Sequence, residues 1–279
     1  MKVSYYPGCA LHGTSLEYGE STRAVSGLLG VELLELPDWN CCGASSAHVT
    51  NESLALKLAG RNLAIAEKQG MDLVVPCAAC YGRFKAAEKE PAEEGGTAPK
   101  WNFRVLNLLE FIVTSGLTEK IQALKKRSLA GLRVVCYYGC LLVRPPKVTG
   151  AKKYENPEEM DRLMELLGAE SIPWSYKTDC CGGSLVLTRT DIVRRLTQKL
   201  YDKALEAGAE AIVVACPLCQ SNLDSRQEEI AREAGKRYEL PILYFTELIG
   251  LAIGHQDAKK WFKRHFINPH KLLTSKGLI

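Results

Sequence analysis

Long apolar runs are missing from this chain of 279 residues. A membrane helix needs roughly 20 consecutive apolar residues, and the best candidate, 248–253, is short and broken by Gly250 and Gly254. The opening Met-Lys-Val-Ser-Tyr-Tyr-Pro-Gly-Cys has one lysine, no apolar core and no small-residue cleavage site, so no secretory signal is read there. No GxGxxG follows a strand, which excludes a flavin or nicotinamide site of that type. A closely spaced ferredoxin-like cysteine run is also absent. Net charge is only +4. Its basic clusters, 120–127 and 259–270, lack the density of a nucleic-acid footprint and read as a solvated helix face and a basic tail. These absences predict a cytoplasmic protein with no membrane span and no nucleic-acid partner.

Cysteine, by contrast, is abundant: the chain has 11. In a reducing compartment such a number points to metal ligation or thiol chemistry rather than to disulfides. The cysteines fall into a repeated plan. Strand-like segments 3–6 and 132–138 run into Gly8-Cys9 and Gly139-Cys140. A helical stretch and a second strand (31–36 and 170–173) lead to Cys41-Cys42-Gly43 and Cys180-Cys181-Gly182. Amphipathic helices follow, marked by Leu54, Leu58, Leu63 and Ile65 in one half and by Ile192, Leu196 and Leu200 in the other. Gly70 and Gly208 are placed to end them. Buried strands 72–76 and 211–215 then deliver Cys77-Ala78-Ala79-Cys80 and Cys216-Pro217-Leu218-Cys219, each opening another helix.

Cys42 to Cys77 and Cys181 to Cys216 have the same spacing, 35 positions. Before the pair, the second half carries eight extra residues, assigned to the loop that holds 144–157. Residues 88–97 read as an acidic, glycine-rich surface loop. The expected fold is therefore α/β, two pseudo-twofold related α/β lobes from an internal duplication, with domains 1–130 and 131–279.

A lone CxxC fits a redox dithiol or half a zinc site. At a helix N-terminus it favours thiolate. A dithiol leaves the other three repeated cysteines of each half without work, and a closed zinc site, which takes four ligands, leaves one of the five. An adjacent pair turned at a glycine could reach neighbouring irons of a polynuclear cluster, which can accept five thiolates. Iron–sulfur leads, with zinc and dithiol chemistry as the alternatives. Cys136 stands outside the plan and reads as a small buried thiol. His12 and His48 lie near ligand candidates, and His48 is the candidate proton donor.

The arrangement Cys9…Cys41-Cys42-Gly43…Cys77-x-x-Cys80, repeated as Cys140…Cys180-Cys181-Gly182…Cys216-x-x-Cys219, resembles the double CCG motif of the HdrB-like family, the B-type subunits of heterodisulfide reductases, over almost the whole chain. The resemblance implies two noncubane [4Fe-4S] clusters. Cys9, Cys41, Cys42, Cys77 and Cys80 would hold the first, and Cys140, Cys180, Cys181, Cys216 and Cys219 the second. It implies a catalytic subunit that reduces or forms a disulfide between the clusters, each sulfur being captured by an iron. Electrons would arrive from a small iron–sulfur subunit, itself fed by a flavin-containing subunit. The substrate would be a small-molecule disulfide. A sulfur-metabolism relative acting on lipoyl- or persulfide-bound sulfur shares these motifs. Electron-transfer CCG subunits of other oxidoreductases are similar too. The segment 261–279, with Trp261, Phe262 and Phe266 among basic residues, is expected either to meet a partner subunit or to pack back on the chain.

Overall fold

The computed structural model describes residues 1–44, 47–90, 97 and 99–279. In the first half, β1 (Lys2–Tyr5) leads through α1 (Gly8–Leu11) and α2 (Leu16–Leu28) to β2 (Glu32–Glu35). After the cysteine pair come α3 (Ala47–Thr50), α4 (Glu52–Gln69), β3 (Leu73–Val75), α5 (Ala78–Ala87), β4 (Val105–Asn107), α6 (Leu108–Thr114) and α7 (Leu117–Leu124). The second half starts with β5 (Arg133–Tyr137), α8 (Pro146–Thr149), α9 (Glu159–Leu167) and β6 (Glu170–Ser171). It continues with α10 (Thr190–Glu206), β7 (Ala211–Val214), α11 (Pro217–Ser225), α12 (Gln227–Ala234), β8 (Ile242–Tyr244) and α13 (Phe245–Ile253). A tail of α14 (Ala258–Trp261) and α15 (His270–Ser275) follows.

Each half forms a four-stranded sheet, ordered β2-β1-β3-β4 and β6-β5-β7-β8. Every pairing is parallel, with Tyr5 opposite Val74 and Tyr137 opposite Val214. The inner strands β3 and β7 are Leu-Val-Val and Ala-Ile-Val-Val and are buried throughout, as strands covered on both faces must be. The duplicated α/β architecture is thus present. Strands β4 and β8 are additions to the elements expected from the sequence.

One face of the first sheet packs on α4 and α5 in a small core that includes Leu63, Val75, Phe84 and Phe103. Its other face joins a core that runs through both halves, from Tyr5, Tyr18 and Phe111 to Val134, Met164 and Phe245. The contacts across the halves are reciprocal. In the repeat, α2 corresponds to α9 and α6 to α13, and α2 packs on α13 as α9 packs on α6. Likewise α5 meets α8 and α11 meets α1. A half-turn exchanges these pairs, which is the pseudo-twofold. On one side it is sealed by Tyr18 stacked on Tyr244, with ring centroids 4.0 Å apart, and by a 2.7 Å hydrogen bond between Ser21 and Thr246.

Local details differ from expectation for physical reasons. The buried face of α4 is mostly small, with Ala55, Ala59 and Ala66 around Leu63, while Leu58 and Ile65 are half-buried and Leu54 is exposed. Val193, Thr197, Leu200 and Ala204 take that role on α10, and Ile192 and Leu196 are half-buried. Gly70 caps α4 in the left-handed conformation as expected. Part of the 120–127 cluster is structural: Lys120, Lys125 and Arg127 donate to the carbonyls of Leu29, Leu166 and Leu278. Of the expected loop 88–97, residues 91–96 lie outside the described residues. Among the described residues, no helix is long and apolar enough to cross a membrane.

The tail packs back on the chain. Trp261 and Phe262 are buried, while Phe266 is exposed. Gly250 on α13 makes room for the indole, since a Cβ there would lie 2.5 Å from the Trp261 ring. The tail is pinned by His265, fully buried between Glu247 at 2.8 Å and Asp224 at 3.8 Å. Burial acts to lower its pKa, but the two carboxylates outweigh this and lift it to about 9. A raised folded pKa means that the contribution is complete below the unfolded value, about 6.5, and is lost as pH rises through about 9. Thermal unfolding of the wild type is therefore expected to lose on the order of 3 kcal/mol of stability across this window. His265→Gln should show no such loss between the same pH values. Parallel curves for the two proteins would remove this role from His265.

Candidate functional site

The strand ends carry the cysteines to the C-terminal edge of each sheet, where open α/β folds place their ligands. Cys77 and Cys216 leave β3 and β7 in extended conformation and stand at the N-caps of α5 and α11, with Cys80 and Cys219 one turn on. Gly43 and Gly182 turn the chain after each pair with φ of 79° and 80°. A side chain there would press on Ala55 of α4 or Val193 of α10, at 3.4 and 3.2 Å. Their N–H groups point back at Cys41 Sγ and Cys180 Sγ, at 3.4 and 3.2 Å. Backbone donors to sulfur are a recurring means of tuning metal-bound thiolates.

Two tyrosines that the sequence motifs do not single out hold both turns. Tyr6 and Tyr137 each stand three positions before Cys9 or Cys140. Their hydroxyls donate to the carbonyls of Asn40 and Asp179, the residues just before each cysteine pair, at 2.8 and 2.6 Å. The repeated tyrosine was the available signal. A third, Tyr18, lies at 3.4 Å from the carbonyls of both Pro76 and Ala215, which precede the two CxxC motifs.

The thiols form a string rather than two isolated sets. Cys42 and Cys80 Sγ lie 2.9 Å apart, and Cys181 and Cys219 Sγ 3.8 Å apart. The charge of Cys42 acts on Cys41, and that of Cys77 on Cys80. Cys77 in turn feels the charge of Cys216, and Cys219 that of Cys216, so the string crosses the pseudo-axis. Cys140 feels the charge of Cys180, and exposed Cys9 acts in the same way on Cys41. Hydrogen bonding from Cys41 and from Cys140 holds Cys42 and Cys180 as thiolates, with pKa values lowered to about 4 and about 6. Thiolate is the ligating form. Cys9, Cys41 and Cys180 are exposed, and the other motif cysteines except half-buried Cys140 are buried.

Three observations test whether these residues suit a cluster. Among the described residues, no three of the Cys, His, Asp and Glu side chains converge on a point that one metal ion could take. Thiols spread in this way suit a polynuclear group better than a tetrahedral single-ion site. Gly8 and Gly139 leave hollows against sulfur, since a Cβ would lie 3.2 Å from Cys80 Sγ and 3.0 Å from Cys219 Sγ. Beside the first pair, His48 keeps a buried Nδ1 with no partner among the described residues, as a group that serves a bound species does. His12 is engaged elsewhere, with Glu35 at 3.0 Å and the Trp39 ring. Cys136 lies in the core, 3.6 Å from Ser171 Oγ, and burial raises its pKa.

Comparison with known proteins agrees with this geometry. The family model described as a cysteine-rich domain, CCG, matches twice, over residues 3–85 and 134–224. The chain is 29% identical to the 8-methylmenaquinol:fumarate reductase membrane anchor subunit of Wolinella succinogenes, over 97% of this chain and 99% of that one. It is 28% identical to the B-type subunit of the ferredoxin/F(420)H(2)-dependent CoB-CoM heterodisulfide reductase of Methanosarcina acetivorans, over 91% and 89%. With a protein of Archaeoglobus profundus named for its likeness to the same heterodisulfide reductase subunit, the identity is 27%, over 93% of each. A crystal structure of a hypothetical protein from Helicobacter pylori shares the fold at a TM-score of 0.70 and 11% identity, covering 96% of this chain and 52% of that one. With two matched copies that together span most of its length, the chain belongs to the CCG cysteine-rich domain family.

Proposed function

We propose that this chain is the catalytic iron–sulfur subunit of a heterodisulfide reductase-type complex, with one noncubane [4Fe-4S] cluster in each half. Cys9, Cys41, Cys42, Cys77 and Cys80 hold the first, and Cys140, Cys180, Cys181, Cys216 and Cys219 the second. The observation that carries this reading is the electrostatic interaction of Cys77 with Cys216, which brings the two sets of five cysteines together at the pseudo-axis. Splitting a disulfide takes two electrons, and when bound the clusters would supply one electron each. The division into halves falls at 130/131.

The chain's own residues do the rest. Tyr6 and Tyr137 fix the turns that present the cysteine pairs. Burial of Cys42, Cys77, Cys80, Cys181, Cys216 and Cys219 keeps water from the inner thiolates. His48 donates a proton to a departing thiolate through its Nδ1, which has no partner among the described residues. Val49 and Leu187, which follow the two cysteine pairs in sequence, and Leu141 beside Cys140 are exposed apolar side chains. Exposed apolar side chains close in sequence to the cysteines suit the small iron–sulfur subunit that delivers electrons, itself supplied by a flavin-containing subunit in the cytoplasm.

Anaerobically purified protein with a reduced viologen and a mixed disulfide of two small thiols should release both thiols, one of each per two electrons consumed. Oxidation of the viologen without thiol release would contradict the reading. It would support a second one, favoured by the full-length similarity to the fumarate reductase subunit: that the chain only relays electrons within another oxidoreductase.

A further inference from the structure

The internal repeat sets Glu110 and Glu247 at the same place. Each is the third residue of the helix that follows the last strand, α6 or α13, beside its N-cap residue, Asn107 or Tyr244. Glu247 accepts from the Tyr244 N–H at 2.9 Å, and Glu110 pairs with Asn107 through the Asn107 side chain. Around Glu247 the pocket is closed. Its other oxygen meets His265 Nε2 at 2.8 Å, and the same tail segment donates the N–H groups of Phe266 and Ile267 to Asp224 at 2.8 and 3.1 Å. Where this position of the fold is filled, it is filled by a cation beside a carboxylate.

No such segment reaches Glu110 among the described residues. Among the described residues, its further side-chain contacts are two long ones, Tyr81 Oη at 3.5 Å and Asn107 Nδ2 at 3.4 Å. In place of a tail there is a cavity of about 570 Å³ between α6, the start of α9 and the inserted loop. Leu109, Val113, Leu142 and Val143 give it apolar walls, and exposed Lys152 stands at its rim. Burial raises the Glu110 pKa, partly offset by the Asn107 N–H and by Lys85. Lys85 also occupies the place that Asp224 holds in the other half, so a second copy of the tail would meet the wrong charge there. The volume is that of a small-molecule site.

We propose that this cavity binds a small molecule carrying a protonated amine on an apolar body, with the amine paired to Glu110 and an anionic far end at Lys152. The inference stands on the Glu110–Glu247 comparison and does not rest on the disulfide chemistry. The site lies next to the cysteine motifs, since Tyr81 follows Cys80 and Tyr138 lies two residues before Cys140. A ligand there would therefore be adjacent to both halves of the redox centre.

Titration calorimetry of the anaerobically purified full chain with 6-aminohexanoate tests this. Saturable binding is expected, with hexanoate, which lacks the amine, about tenfold weaker or more. Glu110→Gln should weaken 6-aminohexanoate about tenfold while leaving hexanoate unchanged. Val113→Phe, which fills the cavity from its apolar wall, should abolish binding of both and serves if the first variant fails to fold. Absence of saturable binding to the wild type would overturn the proposal. Equal affinity for the two probes, or binding indifferent to both substitutions, would do so as well. Nα-acetyl-lysine amide binding about tenfold tighter than 6-aminohexanoate would instead assign the amine to a partner protein's lysine, against the small-molecule reading.

Discussion

Replacing Cys42 or Cys181 by Ala is expected to abolish two-electron disulfide turnover rather than halve it. Each substitution removes one thiolate from one half and leaves the other half's five cysteines in place. If both halves act on one disulfide, a single intact half can supply only one of the two electrons, and cleavage cannot be completed. Turnover should then fall to ~1% of wild type or less with either a physiological donor or a small chemical reductant. A relay arrangement gives a different pattern: losing the relay would slow the physiological donor and spare the chemical one. Measuring both variants with both donors separates the cases, and retained activity in either variant with the small reductant contradicts the paired mechanism.

Gly139→Ala should cost the second half its iron while the first half keeps its own. Gly139 has φ of 69°, and a Cβ built there would lie 3.0 Å from Cys219 Sγ. The backbone penalty for a non-glycine residue in this conformation is about 1–2 kcal/mol. The contact with sulfur adds to it, because the neighbour that must yield, the proposed ligand Cys219, sits on a buried helix turn rather than at a flexible tip. Gly70→Ala is the control. Gly70 has φ of 66° but nothing within 4 Å of the added Cβ, so it should show the backbone cost alone and retain full iron content. Equal iron in the two variants would remove the packing role from Gly139.

Much of this layout is legible in the sequence because the duplication reads itself twice. Tyr-Pro-Gly-Cys and Tyr-Tyr-Gly-Cys, the two CCG turns and the two CxxC helices recur in the same order, so each half checks the other. What is not legible has physical causes. Strands β4 and β8 have three residues each, too short for an alternating pattern, and they exist because β3 and β7 offer them a free edge. The inward path of Trp261 depends on the hollow at Gly250, a pairing no local pattern reveals. Leucine periodicity misplaces part of the buried face of α4, because close helix-on-sheet packing there selects alanine. The Asn107-x-x-Glu110 pattern is a visible helix start. Its open cavity follows only from where the tail goes in the other half and not in this one.

The central claim is that each half holds its own multi-iron cluster, and metal analysis of anaerobically purified protein tests it most directly. Iron, zinc and acid-labile sulfide should be counted per chain in the wild type and in Cys181→Ala. The account predicts about eight irons with about as many sulfides in the wild type, falling to about four in the variant. Stoichiometric zinc without sulfide, or iron that is unchanged or wholly lost in Cys181→Ala, would contradict it.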